Sequence, residues 1–179
     1  MARLLEDYRK KVLPKLMEQF KYKNPNQVPK VEKIVLSMGI GEGGRDKAII
    51  EEAVEHMKAI SGQAPMTTKS TKSIANFKLR KGMTVGLKVT LHGKMMYEFL
   101  DRLVNVAIPR IRDFRGLPTT LDGRGNYNLG VEDLIIFPEV NIDKVKNIKG
   151  LNITINTSAK TDEEGRGLLQ AMGMPFKKK

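Results

Sequence analysis

An α+β fold is what this sequence predicts: a single mainly antiparallel sheet with helices packed on one side and its other face left open. Three patterns point there. Some stretches alternate apolar and polar residues with period two, others repeat apolar residues at helical spacing, and the two kinds do not alternate as βαβ units would.

Leu5, Tyr8, Val12 and Leu16 recur at helical spacing, and Pro14 kinks this first helix or restarts it at its first turn. Asn24-Pro25-Asn26-Gln27-Val28-Pro29 reads as a linker. From Val31 to Gly41 a strand puts Ile34, Leu36, Met38 and Ile40 on one face and Lys33, Val35, Ser37 and Gly39 on the other. Asp46 caps a helix whose stripe is Ile50, Ala53, Val54, Met57 and Ile60, ending at Ser61-Gly62. His56 reads as a surface residue of that helix.

After a short extended piece, Pro65-Met66-Thr67-Thr68, and a basic connection comes the cleanest alternation. Met83, Val85, Leu87, Val89 and Leu91 face one way; Thr84, Gly86, Lys88, Thr90 and His92 face the other. A third helix turns Met96, Phe99, Leu100 and Leu103 inward. The Pro-, Gly- and Arg-rich segment from Ile108 to Gly130 reads as an ordered loop, because apolar residues continue through it. Leu134–Phe137 and Leu151–Ile155 supply two more strands, and Thr161 with Glu164 forms a capping box for a last helix through Leu168, Leu169 and Met172.

A chain of 179 residues with 40% hydrophobic composition buries one core unaided, so one domain over residues 1–179 is expected. No cysteine is present, which excludes thiol catalysis and zinc ribbons. No run approaches a membrane span, and Met1-Ala2-Arg3-Leu4-Leu5-Glu6-Asp7 lacks the apolar core of a signal peptide, so a cytoplasmic location is expected.

The formal net charge is +12. Its distribution is more informative than its size. From His56 to Tyr97 no carboxylate occurs, where the chain-wide frequency predicts about five. That window carries Lys58, Lys69, Lys72, Lys78, Arg80, Lys81, Lys88 and Lys94. Solvated surfaces normally mix both signs, so the window reads as an anion-binding face.

Gly39-Ile40-Gly41-Glu42-Gly43-Gly44 fits G-x-G-x-x-G. A dinucleotide loop would also need an acidic residue about 20 positions further on, in a region that here holds no carboxylate. A tight turn explains the glycines as well. The two histidines lack metal spacing, and Asp122-Gly123-Arg124-Gly125-Asn126 has too few carboxylates for calcium. No metal and no cofactor are expected.

The strongest signal is the open sheet face. A-form RNA presents a wide, shallow minor groove lined by ribose hydroxyls, which small polar residues can approach closely. Lys33, Ser37, Gly39, Thr84, Gly86, Lys88, Thr90 and His92 fit that demand. In the loop from Ser73 to Gly82, Lys78, Arg80 and Lys81 would draw phosphates. Phe77 would either stack on a base or ribose or anchor the loop in the core, whereas Leu79 reads as a core anchor.

These residues resemble the bacterial L-five family of large-subunit ribosomal proteins almost end to end. Similar segments are Gln27–Ile34, Ser73–Met83, Lys88–Leu91, Met96–Asp101, Pro109–Gly116, Asp122–Tyr127, Thr161–Glu164 and Gly173–Phe176. The resemblance implies a non-catalytic structural constituent of the large ribosomal subunit, monomeric when free. Its implied partners are 5S and 23S ribosomal RNA, peptidyl-site transfer RNA and the small-subunit head protein S-thirteen, with no membrane involved. It implies 5S contacts at Ser37, Gly39, Gln63, Thr68, Thr90 and His92, to which the face adds Lys33, Thr84, Gly86 and Lys88 and the carboxylate-free window adds Lys69. Transfer-RNA contacts would come from Ser73, Asn76, Phe77, Lys78, Arg80 and Lys81, and an intersubunit bridge from Ile108 to Asn141. Ser37 and His92 depart from the family pattern, which has asparagine and arginine there.

Two other classes are separable by experiment. A nucleotide-dependent enzyme would show saturable NAD or ATP binding abolished by Gly41→Val. A peripheral membrane protein would float with liposomes, although cations on strands and a loop do not make one amphipathic helix.

Overall fold

A computed structural model describes residues 2–41, 46–140 and 149–177. Strands β1 (Val31–Gly39), β2 (Met66–Lys69), β3 (Thr84–Leu91), β4 (Tyr127–Val131) and β5 (Leu151–Thr157) form one sheet in the order β2-β3-β1-β5-β4. Neighbours run antiparallel. Met66 stands opposite Lys88 and Thr68 opposite Gly86. The Ile40 N–H donates to the Val85 carbonyl at 3.0 Å, and the Ser158 N–H to the Lys30 carbonyl at 2.9 Å. This is the expected α+β class.

The chain divides into two compact units. The first comprises Met1–Ile34, Leu91–Leu129 and Thr154–Lys179; the second comprises Val35–Thr90 and Gly130–Ile153.

In the first unit, α1 (Arg3–Asp7) runs through a π-helical stretch, Tyr8–Val12, into α2 (Leu13–Phe20). Pro14 has no N–H to return to the preceding turn, and the hydrogen-bond ladder widens just before it. The buried stripe is Leu4, Tyr8, Val12 and Leu16, with Leu4 in the place expected of the half-buried Leu5. A strict four-residue repeat drifts around an α-helix of 3.6 residues per turn, and the wider π stretch offsets that drift. Helix α1 packs on α4 (Gly93–Arg102), and α2 packs on α5 (Asp162–Ala171). A Cβ at Gly167 would stand 2.9 Å from the Phe20 ring, so glycine is what lets α2 approach.

Thr161 caps α5 by accepting from the Glu164 N–H at 3.4 Å, and Glu164 Oε2 accepts from the Lys160 N–H at 2.9 Å. The Ile108–Gly130 segment is ordered as expected, but it also contains most of β4. Leu117 and Tyr127 are buried, and the Tyr127 hydroxyl donates to the Pro118 carbonyl at 3.0 Å.

In the second unit, α3 (Lys47–Ser61) is capped by Asp46 Oδ1, which accepts from the Ala48 N–H at 2.9 Å, and it stops at Gly62, φ 70°. Ile49 and Ala53 of α3 meet Met38 of β1 and Leu134 around one small cleft, so α3 lies on the Met38 side of the strand. Two expectations need correction here. Leu134–Phe137 is not a strand but a 3₁₀ turn, Leu134–Ile136, with Leu134, Ile136 and Phe137 buried. A short apolar run looks alike in either state when both are buried. His56 is not on the surface: it is 7% exposed, and its Nε2 lies 3.5 Å from Glu52 Oε1, one turn earlier. Of the glycine-rich motif, Gly39 ends β1 and Gly41 adopts φ +60°, while Glu42, Gly43 and Gly44 lie outside the described residues.

Candidate nucleic-acid interface

Period-two geometry sorts β1 and β3 into two faces. Ile34, Leu36, Met38, Leu87, Val89 and Leu91 are buried on one. On the other, in the second unit, Gly39 and Lys88 are exposed and Ser37, Thr84 and Thr90 are half-buried. Thr68 and Lys69 of β2 extend this face across β3. Gln63 is exposed just after Gly62, and the Ser61 hydroxyl pins its backbone, donating to the Gln63 carbonyl at 2.9 Å and accepting from the Gln63 N–H at 3.2 Å.

The face's two glycines are empty for different reasons. A Cβ at Gly39 would meet nothing within 4 Å. One at Gly86 would stand 2.5 Å from the Met38 carbonyl oxygen and 3.3 Å from Thr68 Oγ1. Gly86 is therefore required by the adjoining strands, and only Gly39 leaves room for a partner.

Met66 also belongs to this face and is 70% exposed opposite Lys88. In the sequence it stands within the extended piece Pro65–Thr68. Continuing the two-residue period back from Thr68 would have found it.

Lys33 and His92, which the alternation assigns to the polar side, belong to the first unit and are exposed there. The His92 Nδ1 lies 3.3 Å from the Glu32 carbonyl oxygen.

Between β2 and β3 the chain forms a two-stranded arm. Ser70 and Met83 are joined at its base by the Ser70 N–H donating to the Met83 carbonyl at 2.8 Å. Near the tip, Ile74 and Leu79 exchange two backbone bonds of 3.0 and 3.1 Å. The tip is a 3₁₀ turn, Ala75–Phe77, closed by Lys78 at φ 50°. Ser73 Oγ accepts from the Lys81 N–H at 3.0 Å and so braces the arm internally. Asn76, Lys78, Arg80 and Lys81 are exposed. Phe77 is 70% exposed, which removes the core-anchor alternative; Leu79 is half-buried and lines an open cavity of about 710 Å³ with Lys78, Arg80 and Met83.

No group of three or more His, Asp or Glu among the described residues is placed to hold a metal ion. Burial pushes the phenols of Tyr8 and Tyr127 up to about 12, so neither offers a base near neutral pH. An open sheet face of hydroxyls, glycine and lysine, with a cationic arm extending from two of its strands, is the build of a protein that binds RNA by shape and charge.

Residues 24–80 match the family model described as Ribosomal protein L5, and residues 84–176 match that of the ribosomal L5P family C-terminus. Proteins described as large ribosomal subunit protein uL5 are similar over nearly the whole chain. That of Thermoanaerobacter sp. (strain X514) is 55% identical, covering 99% of this chain and 100% of its own. That of Geotalea daltonii is 57% identical and that of Nitrosomonas europaea 58%, each covering 99% of both chains. The chain belongs to the ribosomal protein L5 family: it is a structural, non-enzymatic constituent of the large ribosomal subunit, in the cytoplasm. Among the described residues no helix is long and apolar enough to cross a membrane.

Proposed function

We propose that the open sheet face docks this protein on 5S ribosomal RNA in the central protuberance, in the company of 23S ribosomal RNA. The supporting observation is the face itself. Ser37, Gly39, Thr68, Thr84, Lys88 and Thr90 stand on the side of the sheet opposite the apolar core, and the vacancy over Gly39 admits close approach of a ribose. Gln63 and Lys69 contribute donors or acceptors at its margins, and Gly86 keeps its strands close; in the first unit, the exposed Lys33 and His92 offer RNA contacts of their own.

The arm serves a second contact. Lys78, Arg80 and Lys81 neutralise phosphates of peptidyl-site transfer RNA, Phe77 stacks against it, and Ser73 and Asn76 support the tip. The segment from Ile108 toward Asn141 faces the small-subunit head protein S-thirteen; Asn141 itself lies outside the described residues.

Hydroxyl-radical footprinting of the protein on 5S RNA, with a salt titration, tests the first contact. Protection of ribose positions in a double-stranded stretch is expected, with affinity falling linearly in logarithmic plots against salt. Equal affinity for 5S RNA and an unrelated duplex of equal length would overturn the assignment.

A further inference from the structure

We infer that His92 reads the ribose of its RNA partner as a hydrogen-bond acceptor, with a 2′-hydroxyl donating to Nε2. The inference rests on the proposal that this surface meets RNA, and it adds an atom and a direction to it.

A carbonyl oxygen only accepts, so the Nδ1 that faces the Glu32 carbonyl at 3.3 Å carries the ring hydrogen. In the neutral ring the remaining lone pair then belongs to Nε2. The backbone, rather than a partner, selects this tautomer in advance. The side chain is exposed, which leaves Nε2 open to an incoming group.

Phosphate oxygens are acceptors and gain nothing from such a nitrogen. The exposed cations nearby in sequence, Lys33 in β1 and Lys94 in the first turn of α4, are the groups suited to phosphate. The Glu32 carboxylate, also exposed, repels phosphate. What an acceptor can take from an A-form groove is a donor, and the donor repeated at every nucleotide there is the 2′-hydroxyl. That group is absent from DNA, so His92 contributes to telling RNA from DNA.

The test is analogue-interference mapping with the full chain. A pool of 5S RNA transcripts, each with sparse 2′-deoxy substitutions, is selected for binding at about pH 8. The wild-type protein should disfavour deoxy substitution at one or two ribose positions by about three- to ten-fold, the worth of one hydrogen bond. His92→Phe should bind more weakly and lose the interference at those positions alone. His92→Arg, which offers only donors, should tolerate 2′-O-methyl at the same positions, where wild type does not.

Identical interference patterns for wild type and His92→Phe would overturn the inference while leaving 5S binding standing. Interference from inosine rather than from deoxyribose at the affected nucleotide would assign Nε2 to a guanine amino group, and the ribose assignment would fall. Failure of the wild type to select 5S transcripts at all would remove the underlying proposal, and this inference with it.

Discussion

The sheet face and the arm both present cations from one carboxylate-free stretch of chain, yet they hold them in different ways. On the face, Thr84, Lys88 and Thr90 sit on a strand paired on both sides, and Gly86 is packed against the Met38 carbonyl. On the arm, Lys78, Arg80 and Lys81 hang from a hairpin tied by a few backbone bonds, with Phe77 and Ile74 exposed among them. The first arrangement suits a partner read by shape, because the surface is fixed before contact. The second suits a partner held by charge and stacking, because long side chains on a slender arm can adjust to it.

The two glycines of the face test that rigidity most severely. Gly86→Val should destabilise the fold by about 2–4 kcal/mol, since its Cβ would meet backbone that cannot move aside without separating β3 from β1. Gly39→Ala should change stability by less than about 0.5 kcal/mol, because its Cβ enters open space. Urea denaturation measures both. Gly39→Leu should keep the native melting temperature and still weaken 5S binding by more than about ten-fold, by blocking the approach the glycine leaves open. A stable Gly86→Val protein would mean that the face is far less rigid than the packing of Gly86 against the Met38 carbonyl requires.

The arm should respond in the opposite way. Replacing Lys78, Arg80 and Lys81 together by Ala should leave stability and 5S affinity nearly unchanged, weaken transfer-RNA binding by about ten- to a hundred-fold, and flatten its salt dependence by about two units of slope. Equal loss for both RNAs would erase the division of labour. Phe77→Ala should cost transfer-RNA binding about five-fold or more while shifting stability by less than about 0.5 kcal/mol.

Periodicity explains how much of this was legible in the sequence. β1, β3, α3 and α5 carry long unambiguous repeats with caps at Asp46 and Thr161, and the open face followed from the same alternation that located the core. Where the repeat is short, legibility fails. β2 has only four residues and a register shift between Thr68 and Lys69, so the two-residue step from Thr68 back to Met66 is a faint signal, and β4 is interrupted by Gly130 within a segment rich in turn residues. His56 is illegible for a different reason: an imidazole at a stripe's margin looks like surface in the sequence, and only the fold sets it beside Glu52 one turn away. Gly39 and Gly86 are indistinguishable in one dimension. Whether a glycine makes room for a partner or for the next strand depends on pairing that sequence does not print.

A loop in the first unit supplies the intermediate case between a fixed face and an adjustable arm, with the smallest expected effect. Residues 122–126 are held by carboxylates. Asp122 Oδ1 accepts from the Arg124 and Asn126 N–H groups at 2.9 Å each, and Asp162 accepts from those of Gly123 and Gly125 at 3.2 and 3.0 Å. The side-chain amide of Asn126, more than any other group, holds the Asp122 carboxyl below its ordinary value of 3.8; burial is the next effect and opposes it, and the backbone N–H groups of Arg124, Asn126 and Asp122 add to the lowering. A carboxyl whose folded pKa is depressed contributes stability above its unfolded pKa, and that contribution is lost as pH falls through the folded value. Asp122→Asn should therefore lower stability modestly at neutral pH, and the gap to wild type should close as pH drops below about 4. Hydrogen exchange at Arg124 and Asn126 reads the same event locally: both amides should exchange faster in the variant at neutral pH, while those of Thr84 and Thr90 on the fixed face should not. A gap that persisted unchanged at low pH would mean that the loop is kept in place by packing, as the sheet face is, and not by the charge on Asp122.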